Sequence, residues 1–159
     1  MEAVIFVGIQ GSGKSSFYRQ QFFDTHVRIS LDVLRTRHRE QLLFAACLAA
    51  TQPFVIDNTN PLLRDRARYI EPARKAGVRV VAYFFETSLA DAIRRNHQRG
   101  GKQKIPVLAI AGTLRKLQVP TLEEGYDTIY KVTLSPAGCF VVSRSDADRI
   151  SEAQANERA

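Results

Sequence analysis

Short apolar runs alternate with stretches of helical spacing along this chain, and that alternation sets the expected fold. Ala3 to Val7 is a continuous β-branched and aromatic run with no polar position to turn toward water, the pattern of a strand buried on both faces of a parallel sheet. Lys14 to Phe22 carries no glycine or proline and can be helical, and His26 to Ile29 reads as a short second strand. Ser30 is an expected helix N-cap with Asp32 in the first turn. From Asp32 to Ala50 the apolar positions Leu34, Leu42, Leu43, Ala46, Cys47 and Ala50 recur at mostly helical spacing, as one helix or as two with a break near Arg37 to Arg39. Phe54 to Ile56 is a third strand, Pro61 can open a helix to about Ala76, and Gly77 stops it. Val78 to Phe85 follows as a strand, Ser88 caps a basic helix to about Gln98, and Pro106 opens another to about Leu117. Thr128 to Leu134 and Cys139 to Ser143 are the expected last strands, around the turn Ser135-Pro136-Ala137-Gly138. Strands alternating with helices predict a doubly wound α/β sheet, with ligands outside the carboxyl ends of the strands.

The first strand runs straight into Gly8-Ile9-Gln10-Gly11-Ser12-Gly13-Lys14-Ser15, which has P-loop spacing in P-loop context: a buried strand before it and a helix after it. Glycines let backbone amides turn inward around phosphate oxygens, and the helix N-terminus adds partial positive charge. Lys14 can then reach the β- and γ-phosphates while the Ser15 hydroxyl faces Mg²⁺. The expected cofactor-binding set is Gly8, Gln10, Gly11, Ser12, Gly13, Lys14, Ser15 and Ser16.

Asp32 follows the second strand, with Arg35 expected one helical turn away on the same face. That pair reads in two ways. The carboxylate can take a proton from an attacking hydroxyl while the arginine holds a neighbouring phosphate, or the two are a helix-capping acid and its ion pair. Asp57-Asn58-Thr59-Asn60 closes the third strand, where P-loop proteins place a carboxylate for the magnesium water shell; these residues can also simply build the turn before Pro61. Arg94, Arg95, Arg99, Lys102 and Lys104 crowd one helix end and the next loop, around Gly100 and Gly101, as either a mobile lid or a solvated basic face. Of Arg64, Arg66 and Arg68, alternation leaves at most one or two for a substrate. His26, His38 and His97 have no metal spacing and are given no role.

Composition narrows the partners. The 159 residues are 45% hydrophobic and carry a net charge of +7, enough for one core and favouring an anionic partner without choosing among polynucleotide, nucleotide and phospholipid. Cys47 and Cys139 sit in apolar surroundings and are expected to be buried thiols in a reducing compartment. The first apolar run is too short for a signal peptide or a spanning helix, so a cytoplasmic protein is expected, with no membrane association and no obligate protein partner. Residues 1–144 form the expected single domain, and 145–159, polar and charged, an expected mobile tail.

Taken together these residues resemble the 5′-hydroxyl polynucleotide kinases, and in particular the kinase domain of the polynucleotide kinase-phosphatases. The resemblance rests on the P-loop, Asp32-x-x-Arg35, and Ile56-Asp57-Asn58-Thr59-Asn60-Pro61. It continues through Arg66-Ala67-Arg68-Tyr69, Ala73-Arg74-Lys75-Ala76-Gly77, Arg95-Asn96 with Arg99, Ile105-Pro106, and Pro120-Thr121-Leu122-x-Glu124-Gly125-Tyr126. It implies ATP as donor and Mg²⁺ at Ser15, with Asp57 through water. Lys14, Asp32 and Arg99 are the implied catalytic residues, Asp32 as base toward a 5′-hydroxyl end of DNA or RNA. Arg35, Asp57 and Thr59 would meet the substrate, and Arg95 and Arg99 the donor phosphates. The paired-aspartate motif of the phosphatase half is not in this sequence, so kinase activity alone is expected. Gln10 stands where a proline is common in that family, and the lid region is short and basic. A small hydroxyl compound as acceptor, or a nucleotide-dependent nucleic-acid binding module, are the alternatives.

Overall fold

A run with no polar position must be covered on both faces, and within β1 (Glu2–Val7) the apolar run is: Ala3 to Val7 are each at most 1% exposed, and only Glu2 at the strand's start reaches solvent. The computed structural model describes residues 1–98 and 104–145, so Arg99, Gly100, Gly101 and Lys102 of the expected lid and the tail beyond Ser145 lie outside the described residues. β1 is flanked by β3 (Phe54–Ile56) and β4 (Arg79–Phe85), with β2 (Val27–Ile29) outside β3 and β5 (Thr128–Leu134) outside β4. These five pair in parallel, and β6 (Phe140–Arg144) closes the order β2-β3-β1-β4-β5-β6 antiparallel to β5.

Alternation along β1 divides the core. Ala3, Ile5 and Val7 face Phe44 and Cys47 of α3 (Arg37–Ala49) and Tyr69, Ile70 and Ala73 of α4 (Leu63–Lys75). Val4 and Phe6 face Phe17 and Tyr18 of α1 (Lys14–Gln21) and Phe22 just beyond it. Phe6 sits at the centre of that aromatic layer, 5.0 Å from the Phe85 ring and 5.9 Å from Phe17. Each large side chain buried in this way contributes roughly 1.5–3 kcal/mol. A third, smaller group, Ile9, Ala92 and Ile110, packs the glycine loop onto α5 (Leu89–His97) and α6 (Val107–Lys116).

The elements depart from expectation at a few places. The 32–50 stretch is two helices: α2 (Leu31–Leu34) ends where Arg35 takes a left-handed conformation, φ 69°, and Thr36 caps α3 by accepting from Arg39 N at 3.3 Å. The break thus falls just before the expected window. Ser30 stands at the N-cap of α2, but its hydroxyl makes no capping bond; the Leu31 amide instead donates to Asn58 Oδ1 at 2.9 Å. Ser88 does cap α5, accepting from Asp91 N at 3.1 Å. Cys47 is buried as expected, whereas Cys139 is exposed, because it lies in the β5–β6 turn outside the packed layers. No helix among the described residues is long and apolar enough to cross a membrane.

Candidate active site

The carboxyl ends of β1, β2 and β3 converge on one cavity of about 410 Å³. The glycine loop, Leu31 and Asp32, Arg37, Asp57 to Pro61, Asp65, Ile105 and Lys116 line it. The loop is fixed from beneath and beside. Gly8 N donates to Thr59 O at 3.0 Å, tying the exit of β1 to the exit of β3. Gly11 has φ +78°, and a Cβ there would lie 2.6 Å from Ala92 O, so glycine is required both by the backbone angle and by the approach of α5. Gly13, also left-handed, is the N-cap of α1; that helix has no side-chain cap and no acid in its first turn, which leaves its N-terminal field available to an anion.

Lys14 is buried and donates to Gly8 O at 2.8 Å, Ile9 O at 2.7 Å and Ser12 Oγ at 3.3 Å. To reach a phosphate its ammonium has to leave loop acceptors that already hold it in position. Ser16, next to Ser15 on α1, is exposed. Ser15 Oγ donates to Asp57 Oδ2 at 2.9 Å, and Arg28 of β2 donates to the same carboxylate oxygen from Nε at 2.7 Å and to Ser15 Oγ from Nη2 at 2.9 Å. A guanidinium therefore sits between the hydroxyl and the carboxylate expected to serve a divalent ion. Ser15 Oγ and Asp57 Oδ2 are oxygen donors of the type a hard divalent ion takes, and the Asp57 charge is already balanced by a cation. Among the described residues no three His, Cys, Asp or Glu cluster as a metal site.

Asp32 lies exposed in the first turn of α2 on the cavity wall. Its position is set by a relay sequence reasoning missed. Asn58 Oδ1 takes the Leu31 amide, Asn58 Nδ2 donates to Glu40 Oε1 at 2.7 Å, and Glu40 also accepts from Tyr69 OH at 2.9 Å and Arg37 Nη1 at 2.8 Å. Glu40 is only 1% exposed, so a buried carboxylate ties α3, α4 and the exit of β3 together. Burial, then the neighbouring Glu40 charge, pushes the Tyr69 phenol far above its ordinary value, keeping it a donor. The i,i+3 spacing of Arg37 and Glu40 was the available signal; what the helix faced was not.

Arg35 is the clearest correction. Its left-handed backbone ends α2, it is exposed, and it is not among the described residues that line the cavity, so it does not share a helical face with Asp32. Arg37 lines the cavity instead, its Nη1 fixed by Glu40 and by Tyr69 OH at 2.9 Å. Arg66 is also placed elsewhere: fully buried, it forms a two-point pair with Glu124, 2.7 Å at each contact, and donates to Gln118 O at 2.7 Å, bracing α4 against the chain before β5. Arg64 and Arg68 are exposed, Arg68 beside Asp65.

On the other side of the loop Arg95 Nη1 donates to Gly11 O at 2.7 Å, with burial holding its guanidinium below the ordinary value. It borders a second cavity, about 390 Å³, with Asp91, Arg94, Leu134, Ser135, Pro136 and Gly138. Asn96, fully buried, donates to Ile105 O at 2.7 Å and accepts from Ile105 N at 2.9 Å, which pins together the two ends of the segment containing Arg99. Thr59 lines the main cavity through the loop that Asn60 turns at φ 46°, with Asn60 Nδ2 donating to Phe6 O at 2.8 Å.

Residues 4–120 match the family described as AAA domain. A bifunctional polynucleotide phosphatase/kinase from Schizosaccharomyces pombe is 27% identical over 135 residues, 82% of this chain and 33% of that protein. The chain thus spans about a third of the length of the curated relatives it matches. Among solved structures, a gluconokinase from Sinorhizobium meliloti 1021 superposes with TM-score 0.59 at 20% identity, covering 83% of this chain and 82% of that one. An APS kinase from Mycobacterium tuberculosis in complex with AMPPNP and APS gives TM-score 0.53 at 19% identity, covering 99% and 98%. At these identities the two structures establish the α/β fold and nothing finer.

Proposed function

This chain belongs to the AAA domain family, and from that premise we propose that it is a cytoplasmic, ATP- and Mg²⁺-dependent phosphotransferase acting on the 5′-hydroxyl end of DNA or RNA. The observation that carries the reading is the convergence, in one cavity, of Lys14 and Ser15 of the glycine loop, the carboxylate of Asp32, and the guanidinium of Arg37. The named polynucleotide kinase relative supports the acceptor class.

In this reading the loop amides and the N-terminus of α1 hold the donor phosphates, and Lys14 moves from the Gly8 and Ile9 carbonyls onto them. Asp32 takes the proton of the acceptor hydroxyl as its oxygen bonds to the γ-phosphorus; the bond to the β-phosphate oxygen breaks and ADP departs. Bound Mg²⁺, with Ser15 as ligand and Asp57 through water, would neutralise charge on the β- and γ-oxygens. Arg95, one contact from the loop, and Arg99 serve the donor phosphates as charge builds. Arg37, not Arg35, holds the acceptor's own phosphate, and Thr59 shapes that wall.

A small hydroxyl compound as acceptor is the second reading, supported by the confinement of Lys14, Ser15 and Asp32 to one cavity of about 410 Å³ that such an acceptor would share with the donor phosphates. Asp32→Asn is expected to lower turnover by about 10²- to 10⁴-fold, the usual range for a general base. Nucleotide affinity, read by ADP titration, should stay near that of the wild type. Turnover unchanged by the substitution would remove Asp32 as base. Arg37→Gln should raise KM for acceptors that carry a phosphate next to the hydroxyl and leave phosphate-free acceptors unaffected; an equal effect on both would favour a structural role for Arg37.

A further inference from the structure

Asp57 lies at the buried end of β3 with its side chain 2% exposed, so its charge requires a cation whether or not a metal is bound. Arg28 supplies it. The residue sits in the middle of the edge strand β2, in register with Val55, and its fork closes on a single carboxylate oxygen while Nη2 also reaches Ser15 Oγ. The Ser15 hydroxyl is thereby used in both directions, donating to Asp57 and accepting from Arg28. A divalent ion needs a Ser15 lone pair at about 2.0–2.1 Å within an octahedral shell. The guanidinium already takes one of the two lone pairs of that hydroxyl and occupies the space beside it, and it is the same group that neutralises Asp57.

Arg28 is also able to leave. Its side chain is 24% exposed on the open edge of the sheet, and its Cζ lies 5.7 Å from the centre of the Tyr18 ring, a face that attracts a guanidinium. The Tyr18 ring is fixed in turn by its hydroxyl donating to His26 O at 2.7 Å. In one placement the guanidinium therefore touches hydroxyl, carboxylate and ring together, and its partly exposed place on the edge strand gives it a way out to solvent.

We infer that Arg28 is the resident counter-cation of the Ser15 and Asp57 pair and is displaced when a divalent ion binds, so that metal enters only with the phosphates of a nucleotide and not alone. The inference rests on the reading that Ser15 and Asp57 serve Mg²⁺. Free Mg²⁺ has to replace an ion pair with little in return, whereas an ion arriving on a diphosphate or triphosphate brings its other ligands with it. Arg28 is then a positioning residue that sets the order and the apparent affinity of metal uptake.

The test is thermal unfolding of the whole chain, wild type and Arg28→Gln, in chelator, in Mg²⁺ alone, in ADP with chelator, and in ADP with Mg²⁺. The variant is expected to melt below wild type in chelator, where Asp57 loses its cation, and to recover wild-type stability when metal is present. Mg²⁺ alone should stabilise the variant and not the wild type. With ADP saturating, calorimetric titration should show Mg²⁺ binding about tenfold tighter in the variant, the factor expected if the metal-competent arrangement of Arg28 is populated about a tenth of the time. Arg28→Lys, which keeps a cation beside Asp57 without the fork, guards against a variant that fails to fold, and its Mg²⁺ affinity should fall between the other two. Equal destabilisation with and without metal would mean that Arg28 stays paired in the metal-bound state and would overturn the inference. So would no change in either, or a variant that binds Mg²⁺ more weakly. If ADP binds neither protein, the phosphotransferase reading fails as well; if ADP binds but Mg²⁺ affects neither, only the inference about Arg28 fails.

Discussion

A single methyl group is enough to probe the glycine loop. Gly11→Ala puts a Cβ 2.6 Å from Ala92 O at a backbone angle of φ +78°, so either the loop or α5 must shift. A loss of about 1–3 kcal/mol is expected from strain of this kind, together with weaker ADP binding. Gly77→Ala is the matched control: φ is +70° but nothing lies within 4 Å, so only the backbone term, roughly 1 kcal/mol, should appear, with nucleotide binding untouched. Equal melting losses in the two variants would show that contact with α5 does not hold the loop. Residue identity in this loop was readable from sequence because glycine spacing reports backbone angle directly. The contrast between Arg35 and Arg37 was not readable, because a left-handed turn at a non-glycine residue leaves no mark in composition or period.

At the scale of elements, α2 is too short to be stable by itself, spanning only Leu31–Leu34. It stays folded with Asp32 on the cavity wall because Asn58 caps its first amide and Glu40 and Tyr69 hold Asn58. Asn58→Ala should therefore cost about 1–2 kcal/mol in stability, the value of a lost cap and a lost hydrogen bond to a charged group. More tellingly, kcat should fall while the affinity for ADP is retained, because the glycine loop hangs on Gly8 and Thr59 rather than on this relay. A fall in ADP affinity as large as the fall in kcat would contradict that separation. Strands and most helix ends were legible, since apolar runs, Ser88, Gly77 and Pro106 carry local signals. The cap of α2 was not: its acceptor lies on another element, and Ser30, the local candidate, makes no capping bond.

For the whole molecule, the order β2-β3-β1-β4-β5-β6 gathers onto one edge residues distant in the chain: the glycine loop after β1, Asp32 after β2 and Asp57 after β3. The parallel sheet was legible from buried runs alternating with helical stretches, and the cavity opens at the carboxyl ends of the strands, the side expected for a ligand. The Arg28 bridge and the burial of Arg66 against Glu124 were not, because both are long-range charge pairs that no period predicts. A net charge of +7 is consistent with a polynucleotide acceptor, whose KM should then rise with salt while that for a small phosphate-free alcohol should not.

The central claim is transfer to a 5′-hydroxyl end, and it is tested most directly with γ-labelled ATP and Mg²⁺. DNA and RNA oligonucleotides bearing a 5′-hydroxyl are compared with the same strands already 5′-phosphorylated. The expected result is label on the 5′-hydroxyl strands alone, lost with Asp32→Asn. No label on any strand, by a protein that binds the nucleotide normally, would contradict a polynucleotide acceptor and leave the small hydroxyl compound as the substrate to pursue.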